Sequence, residues 1–363
     1  MSQAQIINQL DLPGRLGDPN RILKTDPRSD PRLIAALAPL GLGGAPAPVP
    51  LSPNDPLEAK LEYLAATEAT FDGLFGTLVA DLPPITNIER RTETIRGQDG
   101  NEIKLYIHSP STAAGLLPCI YHVHGGGMVI MTAADAAYRR WRDELAAAGL
   151  VVVGVEFRNG AGKLGNYPFP AGLNDCMSGL QWTFDHRDKL RSSRIIVSGE
   201  SGGGNLSLAI ALRAKQEGRF KQVAGVYALC PYIYGAWGEP SKELPSLYEN
   251  DGYFLDCKLM AITAAAYDPE SKNTTNPLCW PYRATVEHLR GLPPHVISVN
   301  ELDPLRDEGL AYYRRLLSAG VAGYSRTVNG TIHGADVLFA KAIPEVRAAT
   351  IHDIKGFADS LSG

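Results

Sequence analysis

Short apolar runs rich in valine and isoleucine recur along most of this chain, and segments with helical spacing of their apolar positions separate them. Such runs are typical of buried strands. Two strand-like runs with more polar residues flank the turn sequence GQDGN and predict an antiparallel hairpin. The central runs are almost continuously apolar, as in parallel strands buried on both faces. The predicted strands cover residues 91–96, 102–108, 117–123, 150–157, 194–199, 223–230, 295–300 and 323–328.

Between the strands, apolar residues recur at spacings of three and four, which predicts helices. The predicted helices cover residues 57–80, 134–148, 171–187, 305–319 and 345–361, with one more that ends at Gly218. Strands that alternate with helices favour an α/β fold. The pattern therefore predicts one mostly parallel, eight-stranded sheet with helices on its faces.

Two sections depart from this alternation and divide the predicted core into residues 85–230 and 286–363. Residues 1–84 begin with a polar stretch, contain a Pro/Gly/Ala-rich linker and are interpreted as a lid or N-terminal extension. Residues 231–285 are too long for an ordinary connection and are interpreted as an insertion. Its aromatic residues either roof an apolar pocket or pack a small core of the insertion itself; they are Tyr232, Tyr234, Trp237, Tyr248, Tyr253, Phe254 and Tyr267.

Composition narrows the class of partner. The net charge is −4 and the basic residues are dispersed, which argues against nucleic acid or an anionic membrane as the main partner. The N-terminus lacks the features of a secretory signal, and no stretch has the length and apolarity of a membrane span. Five scattered cysteines without metal-like spacing predict reduced thiols in a cytoplasmic protein; they are Cys119, Cys176, Cys230, Cys257 and Cys279.

The first chemical signal is Gly199-x-Ser201-x-Gly203, which follows an apolar strand and precedes a helix. This context is typical of a nucleophile elbow, a sharp turn that exposes the serine hydroxyl at the edge of a sheet. A glycine-rich structural loop is the alternative. A phosphate-binding loop is disfavoured, because no lysine precedes the helix.

A serine nucleophile needs a base and an acid, which follow it along the chain in α/β hydrolases. His333 lies just beyond the last predicted strand and is our candidate base. Asp303 directly follows the strand before it and is our candidate acid. The competing acids are Glu301, Asp307, Glu308 and Asp336, of which Asp307 and Glu308 fit the first turn of a helix.

The sequence His124-Gly125-Gly126-Gly127 also follows a predicted strand. Consecutive glycines expose backbone N–H groups that can stabilise a developing oxyanion. A flexible turn is the alternative, but a simple turn rarely needs three glycines. We therefore predict an oxyanion hole here.

Four ordered motifs, namely HGGG, GESGGGN, DPLRDEG and a late HG, together resemble the hormone-sensitive-lipase family of α/β-hydrolase esterases. The resemblance covers roughly residues 85 to 360 and implies the α/β-hydrolase fold with a helical cap, built from the N-terminal section and the insertion. It implies nucleophile, acid and base roles for Ser201, Asp303 and His333. The backbone donors it implies are those of Gly126, Gly127 and Gly202.

The chain departs from the family pattern at three places. Gly202 replaces a frequent alanine, Phe157–Ala161 replaces the common Tyr-Arg-Leu-Ala-Pro-Glu segment, and Gly-Ala rather than Gly-Phe follows His333. A backbone donor survives the first change. The other two affect the shape of the pocket, so that analogies about the substrate are unsafe.

These signals predict a carboxylic ester hydrolase that acts through an acyl-enzyme on a small-molecule ester or lactone, without metal or cofactor. Amide hydrolysis and acyl transfer remain alternatives because they use the same residues. A non-catalytic ligand receptor is the alternative from another class, which the full set of Ser, Asp and His disfavours. The terminal strand at 323–328 is a candidate edge for a homodimer.

Overall fold

A computed structural model describes residues 12–112, 115–237 and 241–361 of the chain. The first eleven residues, which belong to the predicted N-terminal section, lie outside the described residues. So do residues 113–114, residues 238–240 of the predicted insertion and residues 362–363.

The described strands form one sheet with the order β1-β2-β4-β3-β5-β6-β7-β8. Strand β2 runs antiparallel to β1 and β4, and all other neighbours are parallel. The predicted eight-stranded, mostly parallel sheet is therefore confirmed. The strands are β1 (Ile88–Arg96), β2 (Glu102–Pro110), β3 (Leu117–Val123), β4 (Val151–Val155), β5 (Ser192–Glu200), β6 (Gly225–Leu229), β7 (His295–Asn300) and β8 (Gly323–Val328).

The α-helices connect the strands or form the two sections outside the sheet. Those of the N-terminal section are α1 (Gly14–Gly17), α2 (Pro31–Leu37) and α3 (Leu57–Val79). Between the strands up to β6 lie α4 (Ala136–Ala147), α5 (Ala171–Asp185), α6 (Arg187–Leu190) and α7 (Gly202–Gln216). The insertion and the C-terminal part contain α8 (Ser246–Glu249), α9 (Cys257–Tyr267), α10 (Val286–Leu289), α11 (Arg306–Ser318), α12 (Ala335–Leu338) and α13 (Pro344–Ser360).

The central strands are apolar throughout because helices cover both faces of the sheet. Side chains alternate along β3: Ile120 packs with α4 and α13, whereas Cys119 and Tyr121 face the core that α5, α7 and α11 share. All three side chains are fully buried. The two hydrophobic layers hold the carboxyl ends of the strands at one edge, where the loops with the candidate residues begin.

A network of buried charges joins the N-terminal section to the insertion and to the core. Arg28 pairs with Glu249 of α8, and Arg306 at the start of α11 donates two hydrogen bonds to the same carboxylate, at 2.8 and 2.9 Å. Tyr253 donates a hydrogen bond to Asp26, 3.1 Å away. The Glu249 side chain is only 3 % exposed, so its charge depends on both arginines.

No helix among the described residues combines the length and the apolarity needed to cross a lipid bilayer.

Replacing Glu249 by glutamine should lower the free energy of unfolding by about 2 kcal/mol, because Arg28 and Arg306 lose the charged acceptor that they share, while Asp26 and Asp307 still pair with them. Urea denaturation followed by tryptophan fluorescence measures the change. Arg32→Ala is the matched control, since it removes an exposed ion pair with Glu345 and should cost less than about 1 kcal/mol. Equal losses in the two variants would contradict the assigned role.

Candidate active site

Ser201 occupies the single position between β5 and α7 and has φ of 57° and ψ of −117°, a strained conformation for a residue with a side chain. Three backbone hydrogen bonds hold it there. Its N–H donates to Leu229 O, and its carbonyl accepts from the N–H groups of Asn205 and Tyr232, each at 3.0 Å. The local structure therefore has the form of the predicted elbow, with the hydroxyl at the sheet edge.

Glycine is required on both sides of Ser201 by the close approach of the backbone. A Cβ atom at Gly199 would lie 2.3 Å from Val123 O, and one at Gly203 would lie 1.9 Å from the same oxygen. Both distances are far below van der Waals contact. The two glycines thus let the turn pack directly on the end of β3.

The loops after β7 and β8 bring Asp303 and His333 together. His333 Nδ1 lies 2.7 Å from Asp303 Oδ2, and the other carboxylate oxygen accepts a hydrogen bond from Leu305 N at 2.9 Å. Both side chains are buried. Burial alone lowers the pKa of His333, but the Asp303 charge and contact with Cys230 outweigh burial and hold this pKa well above its ordinary value.

The four competing acids all bind other groups. Their partners are Gly330 N for Glu301, Ser246 N for Asp307, Ile233 N for Glu308, and the side chains of Asn300 and Thr350 for Asp336. Each of these acids fastens a loop or a helix instead of orienting the imidazole of His333. Of the five candidate acids, Asp303 is the one that hydrogen-bonds the imidazole.

Cys230, Asp303 and His333 also form a group of side chains whose ligand atoms lie close enough to hold a metal ion, within 4.8 Å of one another. The 2.7 Å between His333 Nδ1 and Asp303 Oδ2 is the length of a direct, charge-assisted hydrogen bond. The pair is therefore already satisfied without an ion between its members. The thiol of Cys230 adds a soft contact to the ring, and burial raises its own pKa.

The glycine loop after β3 turns back on itself at Gly126 and Gly127, whose φ angles are +88° and +62°. The N–H groups of these two residues have no acceptor within the described part of the chain. Gly202 is the first residue of α7, where helical N–H groups are free. A Cβ atom at Gly202 would lie 2.7 Å from Gly127 N and 2.5 Å from Met128 N, so the two segments touch directly.

This contact explains why glycine stands after the serine. An alanine methyl at position 202 would press on the backbone of Gly127 and Met128, so the glycine loop would have to move outward. The N-terminus of α7 contributes partial positive charge at the same point. The first N–H groups of α7 therefore lie where negative charge is favoured.

Ser201 and His333 line one cavity of about 650 Å³, a volume that includes its open mouth. In the described structure no hydrogen bond joins the Ser201 hydroxyl to the imidazole of His333, and such bonds are often loose before substrate binds. Half of the other lining residues come from α3, α9 and the loop before α9, and most of these are apolar; among them are Leu64, Phe71, Phe75, Phe254, Leu259 and Met260. The cavity therefore suits an uncharged, largely apolar ligand.

Both interpretations of the aromatic insertion hold in part. Phe254 lines the cavity, whereas Tyr232, Tyr267 and Trp237 pack within the insertion. The rings of Tyr232 and Tyr267 each meet Trp280 edge to face at 5.6 Å. Most of the insertion's rings therefore form its own core, and α3 of the N-terminal section supplies more of the aromatic wall.

Sequence reasoning missed two asparagines that fix the loops of the site. Asn300, the last residue of β7, accepts a hydrogen bond from Gly334 N at 3.1 Å, directly after His333. Asn250 donates to the carbonyl of Asp303 at 3.2 Å. No sequence motif marks either residue, because each acts across loops that are distant along the chain.

A family model described as the alpha/beta hydrolase fold matches residues 120–337 of the chain. The solved structure of brefeldin A esterase, described as a bacterial homologue of human hormone-sensitive lipase, is 45% identical, with a TM-score of 0.93. The match covers 96% of this chain and 98% of that one.

Two further relatives are esterases by name. A structure of esterase Est22 is 41% identical with a TM-score of 0.84, and the match covers 93% of this chain and 99% of that chain. The carboxylesterase NlhH of Mycobacterium tuberculosis is 32% identical over 278 residues, which are 74% of this chain and 82% of NlhH.

The imidazole of His333 should titrate above pH 6.5, because the ionised Asp303 stabilises the protonated ring. Asp303→Asn removes that charge, so burial then dominates and the midpoint should fall below 6.5. Spectra of histidine-labelled protein over a pH series give the midpoints, with His333→Gln to assign the signal. Asp336→Asn is the matched control and should leave the midpoint nearly unchanged; an unchanged midpoint in Asp303→Asn would refute the pairing.

Proposed function

The chain belongs to the α/β-hydrolase-fold esterases related to hormone-sensitive lipase, and on this premise we propose that Ser201, His333 and Asp303 are its catalytic triad. The observation that carries the proposal is the strained Ser201 in the same cavity as a His333 that is hydrogen-bonded to Asp303. The triad supplies nucleophile, base and orienting acid for ester hydrolysis.

In the first step His333 takes the proton of the Ser201 hydroxyl through Nε2, while Oγ attacks the carbonyl carbon of the ester. Asp303 stays ionised, accepts the hydrogen bond from Nδ1 and stabilises the imidazolium that forms. The raised pKa of His333 favours this uptake of a proton.

The electron pair of the carbonyl bond moves to oxygen, and the oxyanion accepts hydrogen bonds from the N–H groups of Gly126, Gly127 and Gly202. Support for this oxyanion hole comes from the direct contact between Gly127 and Gly202 and from donors without another acceptor in the described chain. Donors held in place before the reaction are worth more than solvent, because they do not reorganise.

The tetrahedral intermediate collapses when the bond to the alcohol oxygen breaks, and the imidazolium gives its proton to that oxygen. A water molecule then loses a proton to His333, attacks the acyl-enzyme and releases the acid from Ser201. A lactone follows the same steps, but its alcohol stays attached to the acyl group. We include lactones and macrolactones in the proposed substrates, and brefeldin A is the first to test, given the name of one relative.

Two further proposals concern the state of the protein. All five cysteines are unpaired and buried, which suits a cytoplasmic location.

Strand β8 lies at one edge of the sheet and pairs with β7 on its other side, so its free edge is our proposed contact of a homodimer. Light scattering after size-exclusion chromatography gives the mass directly.

Wild-type protein should hydrolyse p-nitrophenyl esters, with acetyl and butyryl esters preferred to dodecanoyl because aromatic rings of α3 bound the cavity. Ser201→Ala should lower kcat by about 10⁴-fold or more, since no acyl-enzyme can form. Release of p-nitrophenol measures the rates, and circular dichroism checks the fold of the variant.

The outcomes separate the alternatives. An inactive wild type that still binds esters would favour the receptor, and equal rates in wild type and Ser201→Ala would refute the nucleophile. A matched p-nitroanilide tests amide hydrolysis, and transfer of the acyl group to an added alcohol tests acyl transfer. Faster turnover of the anilide than of the ester would overturn the assignment as an esterase.

A further inference from the structure

Glu200 is a buried carboxylate beside the nucleophile that has no part in the steps above. It is the last residue of β5 and directly precedes Ser201. One of its oxygens, Oε1, accepts a hydrogen bond from Gly125 N at 2.9 Å. The other oxygen, Oε2, lies 3.1 Å from His122 Nε2, within hydrogen-bond distance.

These two contacts join the nucleophile to the glycine loop by a short route. Strands β3 and β5 are neighbours, with Val123 opposite Gly199, and Glu200 reaches from the end of one strand to the loop that leaves the other. Gly125 lies next to Gly126, the first proposed donor. The Glu200 side chain thus links the residue that precedes Ser201 to Gly125, the residue that precedes the proposed donors.

The glycine loop needs such an external restraint. Its glycines have the largest conformational freedom of any residues, and ordering each costs about 1–2 kcal/mol of backbone entropy. The loop's own hydrogen bonds, from Val129 N and Ile130 N to Gly126 O, fix the side after the donors. On the side before the donors, the amide of Gly125 is fixed by Glu200.

His122 also contacts the carboxylate, and Tyr138 packs near His122 and Gly125. Both side chains are buried, and their rings lie 6.1 Å apart. The Tyr138 hydroxyl closes the space above Gly125, where a Cβ atom would lie 2.9 Å from it. Both oxygens of the Glu200 carboxylate thus lie within hydrogen-bond distance of a partner.

We propose that Glu200 is a positioning residue, which sets the distance between the oxyanion donors and Ser201 for the reaction. This inference rests on the proposed function. The donors must meet an oxygen that becomes charged only in the transition state, so a shift of the loop acts on that state more than on bound substrate. A misplacement of about 1 Å costs on the order of 100-fold in rate.

The test compares Glu200→Ala with Glu200→Gln on p-nitrophenyl butyrate. Glu200→Ala should lower kcat by about 100-fold and change KM by less than about 2-fold, because the loop loses its restraint while the apolar walls remain. Glu200→Gln should retain activity within about 10-fold, since its amide oxygen still accepts from Gly125 N. Affinity for a trifluoromethyl ketone, which forms an oxyanion on the serine, should fall in parallel with kcat.

Asp175→Asn is the matched control. Asp175 lies on α5 and is a buried carboxylate that binds Arg158 and Asn101 of neighbouring loops. It should destabilise the protein without altering the ratio of ketone to substrate affinity. Thermal unfolding of all variants separates loss of stability from loss of rate. If Glu200→Ala does not fold, His122→Phe takes its place, because it removes one hydrogen-bond partner of the Glu200 carboxylate. This variant should lower kcat by about 5-fold at constant KM.

An unchanged kcat in Glu200→Ala, or in His122→Phe where it replaces that variant, would overturn the inference. A loss in Glu200→Gln as large as that in Glu200→Ala would also overturn it, because it would point to proton transfer by the carboxyl group. Failure of the proposed function has a different signature, namely equal rates in wild type and Ser201→Ala. The two failures are therefore distinguishable in one set of assays.

Discussion

The backbone contact between the serine turn and the end of β3 is the constraint on which the rest of the site depends. Neither Gly199 nor Gly203 has room for a Cβ atom against Val123 O, so the backbones of β5, the turn and α7 pack directly against the end of β3. Ser201 takes up the resulting strain in its own φ and ψ angles. Any looser packing would carry the hydroxyl and the first N–H of α7 away from the glycine loop together.

The other half of the site is held by hydrogen bonds instead of close packing. Asp303 and His333 lie on loops after β7 and β8, where side chains such as Asn250 and Asn300 satisfy backbone groups that no strand reaches. Glu301 accepts from Gly330 N and so links the same two loops. Loops fastened at both ends can keep an imidazole in one orientation although they lack regular structure.

The sequence was sufficient to predict the features that depend on residues close together along the chain. Strand-like runs located all eight strands, although those of β1 and β8 are mostly polar. The glycine patterns located Ser201 and the loop after β3, because a tight turn or a free N–H constrains neighbouring residues. It was insufficient for pairs that meet only in three dimensions. Examples are Arg28 with Glu249 and Glu200 with Gly125. The three charged residues among these would be equally plausible as surface or helix-end charges, and nothing in the sequence marks the N–H of Gly125 as a partner.

The N-terminal section and the insertion contact the glycine loop as well as the cavity. Gly127 lies so close to α9 that a Cβ atom there would be 2.4 Å from the methyl group of Thr263. From the other section, Glu68 of α3 accepts a hydrogen bond from Met131 N at 2.6 Å. Both sections therefore contact the segment that carries the proposed donors. It follows that changes in either section act on the reacting end of the cavity as well as on its walls.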